Sequence, residues 1–263
     1  MFEYDSRDLL IYLAVKYQGD NTKILTALHL HENLKIPPEE VKRVVSSLKC
    51  KTLTLIDYNY PEKLKQMHRP PIVLFYYGDI TLLSDNNQKY GVVGSRDYTE
   101  YGEMVTKRIV KEMGTKPILV SGLARGIDTI GHETAIESGA RTIAVLGSGI
   151  DNCYPPENQK LYENIKKHHL VISEYPGMVG PDGYHFPLRN RIVVGLSDAL
   201  VVPQVRSHMS GTMISVNLMI EMNRPIFIVP SSIIEDSINN EIISEGATLA
   251  ESGGQILDDM KWD

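Results

Sequence analysis

The 263-residue chain is short of the features that mark several large protein classes. It has two cysteines, Cys50 and Cys153, with no Cys-x-x-Cys pair, so neither a disulfide framework nor a structural zinc site is expected. No apolar run approaches the roughly 18–20 residues a helix needs to cross a bilayer, and the first residues lack a signal peptide's apolar core. A cytoplasmic protein without membrane contact is the expectation. No Gly-Lys-Ser/Thr follows the glycine-rich loops, which excludes a Walker A sequence, and no Gly-x-Gly-x-x-Gly is present, which disfavours a dinucleotide cofactor. Gly147-Ser148-Gly149 is not a nucleophile elbow, Cys153 has no indicated base, and the rim carboxylates Asp128, Asp151 and Glu174 are scattered over three strands. The sequence demands no enzyme.

Positive charge is also lacking, with a net −6. The deficit has a location: from Glu235 onward there are eight acids and one base, Lys261, so that stretch carries −7 and residues 1–234 carry +1. A near-neutral body can still hold a basic groove, because phosphate binding depends on local charge.

The length allows one large α/β domain plus a small appendage. Residues 1–56 read as helical: Leu9, Leu10, Leu13 and Val15–Tyr17 mark one amphipathic segment, Asn21-Thr22 caps a second, and Pro37-Pro38-Glu39-Glu40 starts a third. Residues 57–89 read as a turn-rich connector, with Ile72–Tyr77 a buried strand at an edge of the main domain, 57–263. Apolar strands follow at Gly91–Val93, Ile118–Val120, Thr142–Leu146, Leu170–Ile172, Ala199–Val202 and Ile226–Val229. Helical stretches alternate with them at Tyr101–Met113, Ile127–Ser138, Asn158–Lys167, Arg189–Leu196 and Thr212–Met222. This predicts an α/β fold: a mostly parallel Rossmann-like sheet with helices on both faces, plus a small N-terminal all-α domain. Right-handed crossovers then place the strand C-terminal ends, with their loops, on one rim.

Two glycine-rich loops dominate that rim, Gly94-Ser95-Arg96 and Ser121–Asp128. Gly94 and Gly122 allow close approach to the backbone, Ala124, Arg125 and Gly126 complete the second loop as candidate phosphate contacts, and helix N-termini behind the loops attract anions. Ser95, Ser121 and Ser210, beside Gly211, add hydroxyls, and Arg96 adds a fork suited to phosphate. For either loop alone, a tight strand-to-helix turn explains the glycines equally well. Asp128 and His132 are i,i+4 and read as a local helix pair rather than metal ligands. In His185–Arg191, Phe186 with Arg189, Asn190 and Arg191 fits base stacking plus phosphate contact along a single strand. The competing role for either arginine is to lock the fold by pairing with Glu174 or Asp198. Lys160 extends a basic track that would otherwise be a solvated helix face.

From about Tyr60 to Leu257 the chain resembles the DNA-processing protein A family (DprA, also called Smf). The resemblance is carried by Val93–Arg96, Ser121–Asp128 with His132, Thr142–Asp151, Tyr154-Pro155 with Asn158, Ile172–Glu174, Phe186–Ile192, Ser210-Gly211 and Val229-Pro230. It implies an extended Rossmann-like domain that binds single-stranded DNA without a cofactor, protects incoming strands during natural transformation, loads the RecA recombinase and forms homodimers. It places Arg96, Lys160 and Arg189 or Arg191 on the DNA, with Ser95, Ser121, Gly122 and Ser210 at the phosphate. The chain departs from the pattern at Pro203-Gln204, Ser231 and Ser237-Ile238. With the sequence ending at Asp263, no winged-helix domain is expected, and contact with DNA is expected from the rim itself. Two competing readings of a Rossmann-like rim are a nucleotide N-glycoside hydrolase, for which Ser210-Gly211-Thr212 with Glu221 is a partial echo, and a nucleotide-sensing module.

Overall fold

The computed structural model describes residues 5–31 and 36–262. Residues 1–4 and 32–35 of the stretch read as helical, and Asp263, lie outside the described residues. Nine strands form one sheet among the described residues: β1 Lys51–Thr54, β2 Val73–Gly78, β3 Lys89–Val92, β4 Ile118–Ser121, β5 Thr142–Leu146, β6 Leu170–Ser173, β7 Ala199–Val202, β8 Ile226–Ile228 and β9 Thr248–Leu249. Their spatial order is β1-β2-β6-β5-β4-β3-β7-β8-β9. All neighbours from β6 to β9 pair in parallel, while β2 runs antiparallel to both β6 and β1.

Eleven α-helices accompany them among the described residues: α1 Ser6–Lys16, α2 Asn21–His29, α3 Pro38–Ser47, α4 Glu62–Lys65, α5 Glu100–Glu112, α6 Ile127–Glu137, α7 Gln159–His168, α8 His185–Leu196, α9 Gly211–Glu221, α10 Asn239–Ser244 and α11 Gly253–Met260. Side-chain caps start several of them, each filling an otherwise unpaired N–H: Asp5 for α1, Asp20 for α2, Thr99 for α5 and Ser210 for α9. The central strands are buried throughout, so both of their faces must be covered. On one face Val120, Val145 and Val202 pack with α4, α8, α9 and α10 through Leu64, Ile192, Leu196, Val216 and Ile242. On the other, Val92, Leu119 and Val201 pack with α5, α6 and α11 through Ile109, Ile130 and Ile256. Helices therefore cover both faces, as the alternation predicts.

Three expectations need correction. Lys51–Thr54 lies in the stretch read as helical but forms an edge strand, with Leu53 opposite Leu74. Its alternation is too short to show against the helical pattern before it. Ile72–Tyr77 does form a strand, at Val73–Gly78, but it lies inside that edge, between β1 and β6. Helix α8 begins at His185, a turn earlier than Arg189, because Pro187 falls within its first turn, where a missing N–H costs nothing. The N-terminal helices share an apolar cluster with the sheet: Ile11, Leu13 and Ile24 join Phe75, Ala144 and Val171.

Candidate functional site

Strand order decides where a ligand can enter. From β3 the chain winds outward through β4, β5 and β6 on one side, and through β7, β8 and β9 on the other. The two halves part between β3 and β7, and in open α/β sheets the crevice at that switch point is the binding place. A cavity of about 800 Å³ opens there. It is lined by Gly94, Ser95, Arg96 and Asp97 after β3, by Ala124 and Asp128, by Phe186, Arg189 and Asn190 of α8, and by Arg206, Ser207, Ser210 and Gly211 after β7. A small adjoining cleft lies among Arg96, Gly122, Arg125, Tyr154 and Phe186.

Helical spacing explains what α8 contributes. Phe186, Arg189 and Asn190 are i, i+3 and i+4 and share the cavity face. Arg191, one position on, turns away. Its Nη2 donates to Glu174 Oε1 at 2.5 Å, which also accepts from Asn21 Nδ2 at 3.1 Å, and Glu174 is 4 % exposed. Arg191 thus takes the fold-locking role and does not meet the cavity; burial pushes the Glu174 carboxyl up, against the pull of Arg191.

Arg189 faces the cavity but is buried, and its Nη1 donates to the carbonyls of Gly122 and of Val145, the latter at 2.6 Å. Burial lowers its pKa, with Asp128 opposing. Its Nε donates to Asn190 Oδ1 at 3.0 Å, and Asn190 Nδ2 donates to the Gly211 carbonyl at 3.0 Å. One guanidinium therefore ties α8 to β4 and β5, and its neighbour ties α8 to α9.

The two glycine loops pack against each other and against α8. A Cβ on Gly94 would stand 2.6 Å from Ile127 Cγ1, one on Gly122 2.0 Å from Arg189 Nη1, and one on Gly126 2.3 Å from the Ser95 carbonyl. Gly126 also adopts φ +79°, open to glycine at little cost. The N–H groups of Gly122 and Ala124 donate to Asp128 Oδ2 at 3.1 and 3.4 Å, and Ser121 Oγ donates to the Val92 carbonyl at 2.6 Å. Ser121 and Gly122 are thus not placed to hold a phosphate: one carboxylate of the same loop has taken its N–H groups. The Ser95 N–H is likewise committed, to the Gln204 carbonyl at 2.9 Å. The backbone left facing the cavity is the N-terminus of α9, where Ser210 Oγ accepts from the Met213 N–H.

Asp128 and His132 do not form a helix pair, because each takes a partner on another element. Burial pushes the Asp128 carboxyl up, opposed by Arg189 and the two N–H groups. His132 Nδ1 stands 2.7 Å from Thr142 Oγ1, whose proton goes to the Leu119 carbonyl at 3.0 Å. The ring therefore donates from Nδ1. Burial, reinforced by Arg189, lowers its pKa from 6.5 to about 3. Below pH 6.5 the unfolded chain binds a proton that the folded chain refuses, so stability falls by about 1.4 kcal/mol per pH unit through this group. The stability gap between the wild type and His132→Asn should narrow by about 2–3 kcal/mol from pH 6.5 to 4.5 in urea unfolding. A constant gap would show that the imidazole titrates normally.

Arg96 is exposed, lies 5.3 Å from the centroid of the Phe186 ring and pairs with no carboxylate among the described residues. Tyr154, 38 % exposed, sets its ring 5.8 Å from that of Phe186. The result is a cation over the ring of Phe186, with Tyr154 beside that ring, where the cavity meets the small cleft. Arg125 is paired with Glu157, and Lys160 is exposed on the first turn of α7, outside the cavity lining. Sequence reading missed Tyr154 as a stacking surface and Arg206 as a cavity residue. The first was visible as an aromatic next to a rim loop, and the second one residue ahead of Ser207.

Acid–base chemistry finds little to work with. Asp151 accepts from Tyr77 Oη at 2.7 Å, Glu174 is held by Arg191, and Asp128 by its loop. Glu221 ends α9, ten residues after Gly211 and so roughly 15 Å along the axis, too far to act with Ser210-Gly211-Thr212. Among the described residues no cluster of His, Cys, Asp and Glu could hold a metal ion, and no helix is long and apolar enough to cross a membrane.

Residues 51–261 match the family model described as DNA recombination-mediator protein A. The DNA processing protein DprA of Bacillus subtilis is 39 % identical over 80 % of this chain and 71 % of its own length. The X-ray structure of DNA processing protein A from Streptococcus pneumoniae superposes with a TM-score of 0.81 at 31 % identity, covering 95 % of this chain and 92 % of that one. A second solved structure concerns the single-stranded DNA binding mode of DNA processing protein A from Helicobacter pylori. It superposes with a TM-score of 0.73 at 30 % identity over 82 % of this chain and 97 % of that one.

Proposed function

The chain belongs to the DNA recombination-mediator protein A family, and from that premise we propose that its switch-point cavity binds single-stranded DNA without sequence preference. The observation that carries this reading is an exposed arginine, Arg96, over the ring of Phe186, with Tyr154 beside that ring in the adjoining cleft and the N-terminus of α9 lining the same cavity. A cation and a helix N-terminus attract a phosphate, and aromatic faces accept any base. Only unpaired bases are free to stack, so the site favours a single strand over a duplex. The wider role in this reading is that of a cytoplasmic, homodimeric mediator that protects incoming strands and hands them to RecA, with no nucleotide cofactor and no catalysis. The likeness to the relatives supports it.

Fluorescence anisotropy on a labelled thymidylate 20-mer and on the matching duplex tests the reading. Affinity for the single strand should exceed that for the duplex at least tenfold and fall linearly with log salt, with a slope of about −0.7 per phosphate neutralised. Preference for the duplex would overturn it, as would base release from a nucleoside monophosphate.

A further inference from the structure

Arg206 lines the same cavity yet lies outside the residues that the sequence motifs point to. It follows β7 and is bound in place by two carboxylates from different segments. Nη1 donates to Asp97 Oδ2 at 2.7 Å and reaches the Asp97 carbonyl at 3.4 Å; Nε donates to Asp236 Oδ2 at 2.9 Å, which also accepts from Nη2. The acids are the outer members of this triad: Asp97 is 92 % and Asp236 71 % exposed, against 32 % for Arg206. Both acids line the cavity as well. The segment that supplies Asp236 is anchored independently, since Glu235 Oε2 accepts from Thr99 Oγ1 at 2.9 Å and from Gln204 Nε2 at 3.4 Å.

We propose that Arg206 is a second phosphate ligand of the cavity, held ready by Asp97 and Asp236, which a phosphodiester displaces. The inference rests on the single-strand reading above and adds a residue and a mode of regulation to it. Exposed ion pairs are weak and exchange readily with solvent. A phosphodiester presents the same pair of acceptor oxygens to the guanidinium fork as a carboxylate does, and the fork contacts either bidentately. The anchored Glu235 keeps the segment close, so Asp236 is displaced locally and stays nearby. Two consequences follow from charge. Until displaced, the acids stand where phosphates would, so they lower affinity. They also act as built-in counterions: a phosphate that replaces them at Arg206 releases fewer ions from solution, and the salt dependence is shallower than the cation count implies. The triad would therefore keep the grip moderate and let a strand be given up.

The test uses anisotropy on the thymidylate 20-mer across a salt series, with wild type, Asp97→Asn/Asp236→Asn, and the same double variant carrying Arg206→Gln. Melting curves check that each folds. The double variant should bind at least threefold tighter with a steeper salt slope. Adding Arg206→Gln should then cost about tenfold in affinity and return about 0.7 of slope, the value of one phosphate contact on a single strand. Arg108→Gln in the double variant controls for bulk charge, since Arg108 lies on α5 and pairs with Glu112 rather than lining the cavity. If the triple variant binds as tightly as the double, or no more weakly than the Arg108 control, Arg206 does not meet phosphate and the inference fails while the single-strand reading stands. If wild type does not bind the oligonucleotide, the reading fails and this inference with it.

Discussion

An Arg189→Met variant is expected to lose about 3–5 kcal/mol of folding stability, the range for removing one partner of a buried charge pair. The guanidinium is 4 % exposed and donates to the carbonyls of Gly122 and Val145. Its charge is the main counterweight to the buried Asp128 carboxylate. Methionine fills the volume but leaves two carbonyls without a donor, each costing about 1–3 kcal/mol when buried, and strands the carboxylate. For a chain of this length the midpoint of thermal unfolding should fall by roughly 6–20 °C. Asp128→Asn added to Arg189→Met should recover part of the loss, because it removes the stranded charge. A single variant that melts within about a degree of wild type would show that Arg189 does not tie α8 to the loops.

Arg96→Ala should leave stability nearly untouched, since the side chain is exposed and its recorded partner is the Phe186 ring. Its effect should fall on binding instead. A charge-assisted hydrogen bond contributes about 1.5–3 kcal/mol, so affinity for the thymidylate 20-mer should fall about 10- to 150-fold. Losing one phosphate contact should also make the salt slope shallower by about 0.7. Burial lowers the pKa of Arg189, and the nearby positive charge of Arg96 adds to that lowering, against the pull of Asp128. Unchanged affinity with unchanged slope would take Arg96 out of the site.

Arg96 belongs to a glycine loop and Arg189 to the first turns of α8, and their roles diverge because of burial. The alternation of short apolar runs with helical stretches was enough to set the α/β class, the parallel strands and the rim on which the loops gather. The i, i+3, i+4 spacing of Phe186, Arg189 and Asn190 put three side chains on one face of α8. Local periods of this kind depend only on backbone geometry, so they can be read directly.

What the tertiary structure decided was partnership. Gly94 and Gly122 looked like openings for a ligand, but the space is filled by Ile127 and by the Arg189 guanidinium. The N–H groups of Gly122 and Ala124 looked free, but Asp128, a few residues on, takes both. Arg191 seemed a partner to Arg189 on a strand, yet two residues of helical rotation carry it to Glu174. Arg206 stands more than a hundred residues from Arg96 in sequence and joins the cavity only because β7 lies beside β3. Strand order is a long-range property: it follows from how whole faces bury against one another, and no local pattern records it. The sequence alone therefore determined what kind of rim this protein has, and packing determined which of its residues are left free to bind.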